Sequence, residues 1–398
     1  MATSGSPTPG RRAGVPARSL PLLLAGALLA GCSPGGGPRP DPPGPSPTRA
    51  AASAAGPACE VPLPDTWQRA FAAGEYRQPA GQRAVLTDTG PGWTALQLTG
   101  SGQEGGRRAV LVRGGEAAPR TLLRFADPVE HQLLAADFDG RRWAAFAVLE
   151  GRTLDSPWSL YVWDAVTGTA RRLARADRPG PLPRPVVRDG TVVWAQGTGA
   201  GRATVFAAPA AGGGHARAWR TAVLDTPFTA GGLLVWREAQ GGHTRPVAVT
   251  LKDGRPAALP PPIAALRDVR ALVSDGTTWA WVAGEAAPRL MVWRPGDVRP
   301  FAAVTASPAV DGMDQLRIAG RFVTWRTPET SYALDLGRPV RTPGSGSYTR
   351  ITPPYGYAAA SGNALAVAYS LGNAKTADAR PVIRVVDAAR LPGLPGCG

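Results

Sequence analysis

The side chains best suited to ligation or nucleophilic chemistry are few in these 398 residues: Cys32, Cys59 and Cys397, His131, His215 and His243, and Lys252 and Lys375. Zinc sites need ligands at short, fixed spacings, and the chain has no HExxH or CxxC, with its histidines far apart. Within residues 59–398 no Gly-x-Ser-x-Gly elbow is present, and neither lysine follows a glycine loop that could cradle a phosphate. Asp137-Phe138-Asp139-Gly140 opens like a calcium loop, but Arg141-Arg142 stand where further oxygen ligands belong, so it reads as an Asp-capped β-turn. No metal, cofactor or catalytic residue is assigned on these motifs. A site assembled from single residues of distant segments would leave no such motif, so an enzyme stays open.

Cys32 stands in a different context. Residues 1–19 carry Arg11, Arg12 and Arg18 and no acid, and the apolar run Leu20–Ala30 follows, ending at Gly31-Cys32. A basic segment, a short apolar core and small residues at the cut form a secretory leader, and this run is too short to span a bilayer. Leu29-Ala30-Gly31-Cys32 also resembles the lipobox of bacterial lipoproteins. The resemblance implies that residues 1–31 are removed, that Cys32 is diacylated, and that the protein is anchored extracytoplasmically to the bacterial cell membrane. The alternative is an ordinary leader with a chance cysteine. Residues 32–58 are rich in Pro, Gly and Ala, and can bury too little surface to fold, so they read as a tether.

Residues 59–398 remain for the folded domain. Fifty Gly, 42 Pro and only 18% charged residues argue against helical bundles, while 43% apolar residues, with 12 Trp, can build a large core. One pattern recurs: a turn with glycine, then a short apolar strand carrying an aromatic. It reads DGRRWAAFAV, RDGTVVWA, AGGLLVWRE, SDGTTWAWV, AGRFVTWRT and SGNALAVAY, with glycines at 140, 190, 232, 276, 320 and 362. A weaker copy lies at Gly92. Each copy precedes two further strands joined by a turn, such as that at Lys252-Asp253-Gly254. Four short strands per period of roughly 45 residues specify an all-β fold, a β-propeller of seven four-stranded blades, with six or eight as alternatives. Val192-Val193-Trp194 and Leu233–Trp236 are apolar on both faces, as a strand packed between neighbouring blades must be. A β-sandwich would accommodate the strands but not the fixed period.

Two cysteines mark the ends of this domain. An oxidising exterior permits a Cys59–Cys397 disulfide that clamps the ring closed, the alternative being two free thiols. Residues 65–73 read as a helix with Asp65 as N-cap, and Trp67, Ala70 and Phe71 on one face covering an end of the ring.

VRDGTVVWA, VSDGTTWAW and ADFDGRRWAA resemble the WD-like repeats of TolB-type propellers, although Arg188, Ser274 and Phe138 replace the proline usual before the Asp. The resemblance implies architecture and leaves function open. Net charge is +15, carried almost wholly by arginine and spread along the chain in runs no longer than pairs. That dispersal, with no basic-aromatic module, argues against nucleic acid as a partner. It suits weak adhesion to an anionic envelope. Two functions follow as expectations. One is a monomeric, non-enzymatic lipoprotein binding or scaffolding a protein or glycan of the envelope. The other is an extracytoplasmic propeller hydrolase or lyase acting on a carbohydrate or lactone.

Overall fold

A computed structural model describes residues 58–397, apart from 79–80, 101–105, 117, 127–130, 306–307, 338–345 and 373–379. The leader, Cys32 and the tether lie outside the described residues.

Seven antiparallel sheets follow one another along the chain as blades one to seven, at residues 82–124, 131–176, 186–222, 228–257, 271–305, 314–350 and 357–387. The recurring apolar strands are the second strand of every blade. They run Trp93–Gly100, Trp143–Glu150, Thr191–Gly199, Leu233–Gln240, Trp279–Ala283, Phe322–Arg326 and Ala364–Leu371. The weak copy at Gly92 is therefore a full blade. The hairpin before each second strand has a glycine at positive φ, which a residue with a Cβ adopts only under strain. In blade four that residue is Gly231 (φ 60°) and not Gly232. In blades two and five an Asp carboxylate caps the turn: Asp139 Oδ1 accepts from the amides of Arg141, Arg142 and Trp143 at 2.8, 2.8 and 3.1 Å, and Asp275 Oδ1 from those of Thr277 and Thr278 at 2.8 and 2.7 Å.

Strand alternation then stacks the blades. Val192 and Trp194 of one strand enter a core with Leu160 and Val162 of blade two. Val193 and Ala195, pointing oppositely, enter a core with Leu234 and Trp236 of blade four. A second strand thus buries both its faces, which is why it shows no polar alternation.

Blades one to six have four consecutive strands each, whereas blade seven has three. The stretch ahead of blade one completes it. Cys59–Glu60 pairs in parallel with Ser347 and Tyr348 as a fifth strand on the outer edge of blade six. Helix α1 (Asp65–Ala73) follows, and Gly74–Tyr76 then bridges the third strand of blade seven. The Tyr76 amide donates to the Ile383 carbonyl (2.8 Å) and the Val385 amide to the Gly74 carbonyl (2.9 Å). Glu75 adds ion pairs to Arg380 and Arg384, each at 3.0 Å. Blade seven closes on blade one through a shared core in which Ala84, Leu86 and Leu98 meet Ala359, Ala366 and Ile383.

α1 has the expected bounds but not the expected cap or place. Pro64 is its N-cap and Asp65 its first helical residue, because a proline there leaves no side-chain oxygen to cap and the acid instead meets the positive end of the helix. Trp67 and Phe71 are wedged between blades six and seven against Phe322, Leu365 and Val367, so α1 fills a gap between blades and does not lid the ring. The segment after blade seven returns over the same region. Trp67 Nε1 donates to the Pro392 carbonyl (2.9 Å), and the buried Asp335 carboxylate accepts from the Leu394 amide (2.9 Å) beside Arg321 (3.3 Å). This return brings Cys397 to Cys59 in a disulfide with Cα atoms 5.9 Å apart. The bond pins both ends of the folded chain to blade six, one blade away from the seam it was expected to span.

A Cβ on residue 74 would lie 2.0 Å from the Val385 carbonyl oxygen, so only glycine fits this strand pairing. Gly74→Ala is expected to lower unfolding stability by about 2–3 kcal/mol in chemical denaturation. Replacing both Cys59 and Cys397 by Ser should cost up to about 5 kcal/mol, since the bond closes almost the whole domain. An unchanged denaturation midpoint in either variant would contradict this account of closure.

Candidate functional site

The innermost strands of a propeller face the middle of the ring, so a charged side chain there has either a structural or a chemical duty. Gln82–Gly90 and His131–Phe138 are the innermost strands of blades one and two, and each has a break in register, between Leu86 and Asp88 and between Leu133 and Ala135. Such bulges re-aim the residues that follow. Asp88 and Asp137 then take the same level in adjacent blades, paired with Ala95 and Ala145, the third residue of each second strand. The corresponding residues in blades three, four, five and seven are Val186, Phe228, Leu272 and Ala359, and blade six has Arg317.

Both carboxylates reach across to the next blade. Asp88 Oδ2 accepts from the Ala136 amide at 2.9 Å, and Asp137 Oδ2 from the Val187 amide at 2.8 Å. Asp137 Oδ1 accepts from its neighbour Phe138 at 3.0 Å. Protein surrounds both carboxylates deeply, and each residue as a whole keeps an intermediate exposure. Burial dominates their titration. It pushes Asp88 up to about 6 against the charge of Arg184 and the Ala136 hydrogen bond. Asp137 is likewise pushed up to about 6, burial outweighing the Val187 and Phe138 amides and Arg188, with the charge of Asp88 pushing the same way. Arg184, on the connection into blade three, is enclosed too, and burial lowers its pKa despite Asp88. Carboxylates pushed up to about 6 can exchange protons with a bound molecule, and the guanidinium near Asp88 can pair with an anionic group on it.

The residues singled out in the sequence are otherwise dispersed. Cys59 and Cys397 come together at blade six, far from this pair in the blade order. His131 stacks on Phe125, with ring centroids 5.6 Å apart, and His243 Nδ1 lies 2.6 Å from Asp268 on the surface. Among the described residues, no three His, Cys, Asp or Glu side chains converge in a geometry for a metal ion. Asp137 was legible only as half of a calcium-loop pattern, and Asp139 caps the turn. Asp88 had no local signature beyond being an acid between two threonines in a strand whose neighbours are apolar.

The sequence matches no family model and no curated protein. Its fold is similar to that of solved peptidases. One is a prolyl endopeptidase, at 14% identity and a TM-score of 0.53 over 83% of this chain and 50% of that one. Another is prolyl oligopeptidase B from Galerina marginata, at 10% identity and a TM-score of 0.50 over 82% and 50%. The chain spans about half the length of these proteins. At such identities the likeness establishes one thing, that the chain is a β-propeller.

A carboxyl whose folded pKa of about 6 exceeds its ordinary 3.8 binds more protons folded than unfolded between those values. Its contribution to stability is therefore full below pH 4 and lost as pH rises through 6. Asp88→Asn and Asp137→Asn keep an oxygen for the amide of the next blade and remove the charge. Each is expected to flatten the fall in Tm between pH 4 and 6.5 and to match or exceed the parent's stability at pH 7.5, by up to about 2 kcal/mol. Melting curves across that range provide the check, and a parallel pH dependence in the variants would count against it.

Proposed function

We propose that the chain is an extracytoplasmic lipoprotein, acylated at Cys32 and tethered to the cell membrane by residues 32–58, whose propeller is a non-enzymatic binding or scaffold module for a protein or glycan of the envelope. The leader, the lipobox-like Leu29–Cys32 and the Pro-rich tether support the anchor, and the WD-like repeats support a TolB-type variety of propeller. One observation carries the binding reading: the two acids inside the ring each spend an oxygen on a backbone amide of the next blade, a structural duty that holds neighbouring blades in register. Cys59, where the tether would join, sits at the outer edge of blade six.

A second reading has its own support. Asp88 and Asp137, each pushed up to about 6 by burial, with Arg184 near the first and Arg188 near the second, suit acid–base chemistry on a carbohydrate or lactone bearing an anionic group.

Cys32→Ala should shift the protein from the membrane to the soluble extracytoplasmic fraction, and an unchanged distribution would refute the anchor. Crosslinking of the full chain in its native envelope should capture one discrete protein or glycan, equally well with Asp88→Asn/Asp137→Asn. Turnover of a glycan or lactone that this double variant abolishes would establish the enzyme instead.

A further inference from the structure

The helix wedged between blades six and seven leaves a space beside it. A cavity of about 380 Å³, at the small end of the range for ligand sites, lies between α1, the end of blade six and the sheet of blade seven. Its floor is apolar, with Phe71, Ile351 and Val367 all buried. Polar groups stand around that floor: Gln68 from α1, Arg350 from blade six, and Tyr369 and Arg384 from blade seven.

Both charged groups in the lining already face a carboxylate. Arg384 donates through Nε and Nη2 to Glu75 Oε2 at 3.1 and 3.0 Å, and its guanidinium lies 5.6 Å from the centre of the Tyr369 ring. Arg350 is 3.5 Å from Glu60 and lies over the Tyr332 ring at 5.7 Å. An ion of either sign would have to compete with one of these pairs, so the cavity holds no free charge to select it. Hydrogen-bonding capacity, by contrast, is left over. The Tyr369 hydroxyl has no hydrogen-bond partner among the described residues, and it is not sealed from solvent. Partial burial pushes its pKa above the ordinary 10.0, so it stays protonated and can both donate and accept. Gln68 Nε2 donates to the Leu63 carbonyl at 3.1 Å, which leaves the amide oxygen as an acceptor. Each guanidinium also keeps N–H groups beyond those that meet its glutamate.

We propose that this cavity binds one ring of a neutral glycan. The C–H groups of the ring lie on Tyr369 and the apolar floor, and its hydroxyls meet the Tyr369 hydroxyl, the Gln68 amide and the spare guanidinium N–H groups. A pyranose suits this lining because it is uncharged, presents an apolar face, and carries hydroxyls that both donate and accept. The inference rests on the binding reading proposed above and deepens it, choosing glycan over protein and placing it at the seam of blades six and seven.

Saturation-transfer NMR of the purified full chain, with free glucose, mannose, galactose and N-acetylglucosamine as separate probes, provides the test. At least one sugar is expected to bind saturably in the millimolar range. Gln68→Ala and Tyr369→Phe should each weaken that binding about threefold, by loss of one hydrogen bond. Tyr369→Ala should weaken it about tenfold, since the ring contact goes as well. Gln68 is exposed, so Gln68→Ala leaves the fold intact and keeps the test decisive. Glucuronate should bind no more tightly than glucose, and Arg113→Ala, on blade one, should match the parent. Absence of saturable binding by all of these sugars, indifference to both Gln68→Ala and Tyr369→Phe, or tighter binding of glucuronate would overturn the proposal. Crosslinking in the native envelope separates that failure from failure of the binding reading. A discrete partner captured equally well by the parent and by Tyr369→Ala would keep the reading and reject this site.

Discussion

A ring of sheets has no stable open form in water, because each blade buries one face against each neighbour and an unclosed ring leaves two apolar faces bare. Everything in this molecule answers to that constraint. The alternating residues of the second strands, Val192 and Trp194 one way and Val193 the other, satisfy it at interior interfaces. Around blades six and seven the protein adds devices that the earlier blades lack: a strand supplied from ahead of blade one, a helix wedged between the two blades, and a disulfide holding Cys59 and Cys397 together at blade six. Burial of each large apolar side chain contributes about 1.5–3 kcal/mol, so an unpaired face would forfeit much of the net stability of a domain.

The interior of the ring is where packing and chemistry compete. Five of seven equivalent inner positions have apolar residues or an arginine on a single blade, and the adjacent blades one and two have acids. A buried carboxylate is costly unless it is bonded, and both acids offset part of that cost by accepting an amide from the next blade. Their raised pKa values are the remainder of the same cost. The pair therefore serves the ring and stays chemically responsive.

Blade number and the identity of the central strands were legible in the sequence because they repeat. The same turn geometry demands a glycine at positive φ seven times, and the same double burial keeps seven strands predominantly apolar. The cysteine pairing was legible from its position at the domain ends. What did not repeat could not be read. Gly74–Tyr76 looks like the frayed end of a helix, and only its long-range pairing with Ile383–Val385 makes it a strand. Asp65 looked like a cap until Pro64 took that place. Asp88 and Asp137 share a level only through bulges in two separate strands, and no local pattern announces a bulge.

The strand that completes blade seven precedes blade one in the chain, with an order of translation opposite to the order of assembly. Residues 59–76 emerge early and find their partners only after residues 347–397 exist, across a separation of about three hundred positions. Local hairpins can form blade by blade, while closure must await the final segment and pay the largest loop entropy of all. A chain truncated near its C-terminus thus loses more than its last strand. It strands an early segment without a partner and exposes the flank of blade one, the very surface on which an unfinished ring would aggregate.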